Sequence, residues 1–333
     1  MFLTFVAMNY IFPLFFFLLL IGCSANLEDK NNLTVYRFEN SLFSSKADNF
    51  TEKKDIWDKK LGVFGDYFNN LLFTNSDDST FRNSVLDFVD HPDMREVYDS
   101  ISKNFADFSI YENQLSSAII NYNNLLPEKQ TPHFITMFSG FNYGVISYDS
   151  IVAIGLDFYL GENSVFYDRL GNPEYLKFQK QTKFMIPNIF ESLFNRDFEL
   201  YDRESIFLAK IIYKGKIMFF LNKILPKFNK STKLRFSNNQ LIWCKENEFL
   251  IWSYFIENNL LFSSKENDYR SYLDYSPFSK GMPKNSPGRI AYFIGGNIIE
   301  SYMKNNKNIS FAQLMQNTDY NNILTQSKYK PKK

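Results

Sequence analysis

The chain has 333 residues and nearly balanced charge, with 37 Lys and Arg against 36 Asp and Glu for a formal net charge of +1. That balance argues against a nucleic-acid partner, which calls for a basic stripe or a positive excess. The only basic cluster, Lys328, Lys330, Lys332 and Lys333, reads as a solvated tail over residues 327–333.

Residues 1–22 carry no charged side chain, and Ile11 to Ile21 is apolar throughout. A spanning helix needs roughly 20 apolar residues, whereas a run of this length fits the core of an export signal. Leu20-Ile21-Gly22-Cys23 then resembles a bacterial lipobox, in which the Cys23 thiol becomes the lipid attachment point and the new N-terminus. The absence of Lys or Arg before the apolar core departs from the usual signal. An ordinary signal peptide remains open, as does an uncleaved anchor extended through Met8, Tyr10 and Phe12, with Cys23 incidental in either case. Two or more acyl chains give stable attachment, and no second run of spanning length follows. The expected organisation is a signal at 1–22, an anchor and polar tether at 23–52, a single helix-rich domain at 53–326 and the basic tail. The membrane is then the first partner, through the lipid.

Past the tether, the spacing predicts a helix over Asp55 to Leu72, with Ile56, Leu61, Phe64, Tyr67, Phe68, Leu71 and Leu72 on one stripe. Shorter helices are expected near Thr80 to Val89 and Pro92 to Phe105. A longer one spans Asp107 to Leu126, with Ile110, Leu115, Ile119 and Tyr122 in its stripe and Pro127 as its stop. The period then changes. Phe134 to Phe138, Tyr143 to Ser147 and Ile151 to Leu156 are short apolar runs divided by Gly, Asn, Asp and Ser, which reads as a small antiparallel sheet near residues 133–158. Helical blocks with a small sheet make an α+β domain.

Helix starts are expected at Asn172-Pro173-Glu174 and at the capping boxes Ser237/Gln240 and Ser310/Gln313. Glu204 to Leu225 presents Phe207, Leu208, Ile211, Ile212, Met218, Phe219 and Leu225 to a core, leaving Lys210 and Lys214 outside. Asn238 to Leu261 reads as one helix burying Leu241, Phe249, Trp252, Phe255 and Ile256. A last long helix follows Ser286-Pro287-Gly288-Arg289, and Gly295-Gly296 on it implies close helix approach, because glycine in a helix costs roughly 1 kcal/mol against alanine.

Catalytic chemistry has little to work with. Only His91 and His133 exist, so a His-x-x-x-His zinc helix is impossible, and neither histidine sits in a nucleophile–base pattern. Cys244, with no histidine nearby to activate it, reads as a buried thiol. Asp157 reads as a solvated acid at a strand end, although such an edge can also carry function. Ser286 to Arg289 reads as a helix cap, with anion binding through backbone N–H groups and the guanidinium as the alternative. No cofactor, metal or catalytic residue is assigned.

Four segments carry a resemblance: Ile154 to Gly161, Tyr213-Lys214-Gly215-Lys216, Trp252 through Phe262, and Ser286 to Ile290 with Gly295-Gly296 to Tyr302. In this order, with the lipobox, they resemble the gliding-motility lipoprotein GldB family of the Bacteroidetes. The resemblance implies a helix-rich domain, a lipid anchor in the cell envelope at the outer membrane, and partners among motility or secretion proteins. It implies no molecular activity. The order of sheet, helix and Gly-bearing helix is also similar to predicted zinc proteases related to zincins. Their His-Glu-x-x-His stretch would fall at Phe184 to Ser192, where no histidine stands. The expected function is therefore a non-catalytic, membrane-anchored lipoprotein required for gliding motility and the associated protein-secretion machinery, on what would be a degenerate zincin-like scaffold. The alternative is a metal-independent hydrolase on the same scaffold.

Overall fold

The computed structural model describes residues 33–73, 78–200 and 206–333, so the export signal, Cys23 and most of the expected tether lie outside the described residues. In chain order the elements are β1 (Tyr36–Arg37), α1 (Phe38–Phe43), α2 (Phe50–Leu61), α3 (Val63–Leu72), α4 (Asp78–Asp90), α5 (Pro92–Asn104) and α6 (Ser109–Leu125). The strands β2 (His133–Met137), β3 (Val145–Tyr148) and β4 (Ile151–Gly155) follow, then a 3₁₀ turn (Leu156–Tyr159), α7 (Val165–Arg169), α8 (Glu174–Lys177) and α9 (Met185–Asp197). The second helical block comprises α10 (Phe207–Ile224), α11 (Lys230–Leu234), α12 (Asn238–Glu246), α13 (Glu248–Glu257), α14 (Glu266–Leu273), α15 (Ile290–Asn305), α16 (Phe311–Gln316) and α17 (Tyr320–Ser327). This is the expected α+β class. Among the described residues no helix is long and apolar enough to cross a membrane.

The sheet departs from the expected antiparallel arrangement. Its order is β1-β2-β4-β3, with β1 parallel to β2, β2 parallel to β4, and only β3 antiparallel to β4. After β2 the chain crosses to the far edge to lay down β3, turns at Asp149-Ser150, and returns as β4 in the gap between β2 and β3. Every residue of β4 is buried, as expected of a central strand covered on both faces, whose apolar run carries no alternation to reveal its neighbours.

The expected tether also ends early. Residues 35–43 enter the domain, where Phe38 stacks edge-on against Trp57 at 5.6 Å and Phe68 at 4.9 Å. Asn40 is exposed on this stretch, whose Val35, Phe38, Leu42 and Phe43 are core.

Two expected long helices are broken. Gly62, at φ +50°, separates α2 from α3, a conformation that glycine adopts without a Cβ penalty. Asn247 separates α12 from α13, and the change of phase leaves Ile256 50% exposed while burying Ile251. The capping boxes at Ser237/Gln240 and Ser310/Gln313 form as expected. At Asn172-Pro173-Glu174, proline itself is the N-cap, with no side-chain cap, and the helix runs only four residues.

At the centre α10 packs on α15 through glycine. A Cβ on Gly295 would lie 2.1 Å from the Ile211 carbonyl oxygen, and one on Gly215 would lie 2.2 Å from the Gly295 carbonyl oxygen. Neither helix can carry a side chain at this crossing, which is the close approach expected from Gly295-Gly296.

Candidate functional site

The residues singled out in the sequence are placed apart from one another. His91 caps α5, its Nδ1 accepting from the Asp93 N–H at 3.3 Å, and His133 opens β2 with its side chain exposed. Cys244 is fully buried, and burial pushes its thiol up, away from thiolate chemistry.

Asp157 is not the solvated acid expected. It is fully buried, accepts from the Ser139 N–H at 2.9 Å and from the Ser139 hydroxyl at 3.0 Å, and also accepts from the Phe141 N–H. Burial pushes its carboxyl up to about 6 against the opposing pull of those donors. It thereby pins the 138–144 loop that carries the chain from β2 to the opposite edge of the sheet.

Ser286 does not cap α15. Its hydroxyl accepts from the Ser279 N–H at 3.1 Å, while Arg289 is the N-cap residue, in the left-handed region at φ +60° with no side-chain cap. That backbone turn sends the Arg289 side chain inward, onto a group that sequence inspection passed over.

The group is Glu191, on the helix α9 that follows the sheet. Its Oε1 accepts from the Tyr292 hydroxyl at 2.6 Å, and its Oε2 lies 2.6 Å from Arg235 Nη2 and 3.3 Å from Arg289 Nη2. Arg235, at the end of α11, also holds a left-handed backbone at φ +60°. Two non-glycine residues in this sparsely populated region, both sending guanidinium groups to one carboxylate, form a network that the surrounding fold must hold in place. Arg235 also donates Nε to Asn188 Oδ1 at 2.8 Å and Nη1 to the Lys233 carbonyl, and Asn188 donates to the buried Tyr159 hydroxyl at 2.8 Å.

Lys214, expected outside, is half-buried near the same carboxylate. Burial lowers its ammonium, with Glu191 opposing that shift. Burial would push the Glu191 carboxyl up, but Arg235, Arg289 and Lys214 together with the Tyr292 hydroxyl more than offset it, and hold the group at about 2. A carboxylate so saturated stays ionised and makes a poor general base at neutral pH, because proton uptake requires a matched affinity. Among the described residues, no group of three or more His, Cys, Asp or Glu side chains is placed to hold a metal ion. A groove of about 960 Å³ beside α6 is lined by Lys183 and Lys227 and, among the described residues, by no carboxylate or histidine.

The sequence offered one signal for this network: Arg289 stood out as a guanidinium at a helix start. Glu191 lies in the Phe184 to Ser192 stretch, which drew notice only for its missing histidine, and Arg235 carried no signal, since the left-handed turns that aim the arginines are set by the packing around them.

Fold and site define the class as a helix-rich α+β domain organised round a buried ion network. Within it, the chain belongs to the family described as gliding motility protein GldB, whose model matches residues 24–331. That family is involved in gliding motility. No curated protein and no solved structure matches the chain.

Proposed function

We propose that this chain is a non-catalytic lipoprotein, anchored in the cell envelope through Cys23, that serves the gliding machinery and its associated protein-secretion apparatus from the outer membrane. The observation that carries this reading is the family match over residues 24–331. Two features support it. The match begins at residue 24, directly after the lipobox cysteine that would be the first residue of a processed and acylated chain. The central carboxylate, Glu191, is committed to two arginines and a tyrosine.

The test is genetic and biochemical. Deleting the gene should abolish cell movement on surfaces while leaving growth in liquid largely intact. A Cys23→Ser variant should lose fatty-acid labelling and leave the membrane fraction. A His91→Ala, His133→Ala double variant should restore movement in the deletion strain. Normal gliding after deletion would refute the motility role, and unchanged labelling of the Cys23 variant would refute the anchor. A folded, anchored double-histidine variant that failed to restore movement would return the question to catalysis.

A further inference from the structure

The ion network is saturated on the Glu191 side and incomplete on the other. Among the described residues Arg289 Nε is buried without a hydrogen-bond partner, and Arg235 Nη2 lies 2.6 Å from Glu191 without the alignment of a hydrogen bond. The Gln179 Oε1 is likewise buried and without a partner among the described residues, while its Nε2 donates to the Arg235 carbonyl at 3.4 Å. Arg235 and Arg289 are 1% and 7% exposed, and all three residues line one small cavity of about 50 Å³, together with Tyr175, Phe178 and Tyr275. A buried donor or acceptor left without a partner costs about 1–3 kcal/mol, and two at one cavity, the Arg289 Nε and the Gln179 Oε1, mark a place built for something to complete them. The local charge agrees, since two guanidinium groups face a single carboxylate.

We infer that this cavity binds a carboxylate bearing an N–H donor on the adjacent carbon, the chemistry shared by a free α-amino acid and the C-terminal residue of a peptide. The unpartnered Arg289 Nε donates to the carboxylate, and the Arg235 guanidinium, held by Asn188, Lys233 and Glu191, supplies a second positive charge beside it. The Gln179 carbonyl accepts from the neighbouring N–H. The Arg289 guanidinium is held for this role between rings, 4.5 Å over Tyr275 and 3.8 Å over Tyr292. A volume near 50 Å³ exceeds the roughly 10–15 Å³ that one water needs by the same measure; it admits a carboxylate and its adjoining atoms and leaves the rest of the ligand at the mouth, beside the half-buried Tyr175 and Ser276. Because the site reads only the end of a ligand, it suits a terminus better than an internal segment.

The test is calorimetric titration of the full chain in detergent with N-acetyl-L-alanine, L-alanine, N-acetyl-L-alaninamide and inorganic phosphate. Binding of N-acetyl-L-alanine is expected if the source is a chain terminus, and of L-alanine if it is a free amino acid; the uncharged amide should bind at least about tenfold more weakly than either. Arg289→Lys keeps the charge facing Glu191 and removes the guanidinium fork, and should weaken binding by a similar factor. Gln179→Leu, which touches no ion pair, provides a variant that folds even if the arginine change does not, and should weaken the N–H-bearing alanine probes while leaving the binding of acetate, titrated as a carboxylate without an N–H, unaffected. The inference is overturned if neither alanine probe binds below about 10 mM, which would leave the cavity to solvent, if the amide binds as well as the acid, or if phosphate binds better than both. Unchanged affinity in both variants would overturn it equally.

Discussion

Adding one methyl group at Gly295 should be far more damaging than adding it at the next residue. In Gly295→Ala the new Cβ would stand 2.1 Å from the Ile211 carbonyl oxygen and 2.8 Å from the Gly215 nitrogen. Ordinary carbon contacts lie near 3.5 Å, so α10 and α15 would have to separate by more than an ångström. The obstacles are backbone atoms of a helix, which cannot swing aside as a side chain does. Overpacking that side chains can absorb costs about 1–3 kcal/mol, and this site belongs at the upper end. Alanine returns about 1 kcal/mol of helix propensity, leaving a net loss of about 2 kcal/mol or more. In Gly296→Ala the nearest atom is the Met218 Cβ at 3.3 Å, a contact that needs a shift of only a few tenths of an ångström, so the propensity gain should roughly balance it. Urea unfolding of both variants beside the parent measures the difference, and thermal melts should show it as about 3 °C, since a domain of this length has an unfolding entropy of about 0.6 kcal/mol/K. Equal stability of the two variants would refute the glycine-to-glycine crossing.

Glu191→Gln should destabilise the fold by about 3–5 kcal/mol, since it leaves Arg235 and Arg289 buried without their counter-ion; chemical denaturation at neutral pH reads this directly. The same carboxyl sits at about 2 in the folded state against 4.5 ordinarily, so its contribution is complete above pH 4.5 and is lost as pH falls toward 2. The parent should lose about 3 kcal/mol across that window and the Gln variant should lack that component. Asp157→Asn should cost about 1–3 kcal/mol at neutral pH, because one amide oxygen cannot serve both the Ser139 and Phe141 N–H groups. Its folded carboxyl is raised to about 6 from 3.8, so the stability linked to its protonation is full below 3.8 and disappears as pH rises through 6. The parent, and not the Asn variant, should show that slope in a pH series of melts.

What the sequence by itself determined is local. The family was legible in four short segments, and the match over residues 24–331 bears it out. Helix periods and the two capping boxes were legible because they involve residues three or four apart, while the lipobox at Cys23 still rests on sequence alone. Short apolar runs located the strands but not their order, since a buried strand such as β4 has the same composition whichever neighbours flank it, and Tyr36–Arg37 is too short to announce itself as a strand. Tertiary structure alone decided that Asp157 turns inward to hold the 138–144 loop. It also decided that Arg289, 98 residues from Glu191, and Arg235, 47 residues from Asn188, meet on α9. The physical reason is range: capping and periodicity act within one helical turn, whereas a buried ion network exists only once the helices that carry its members have packed together and excluded water from the charges between them.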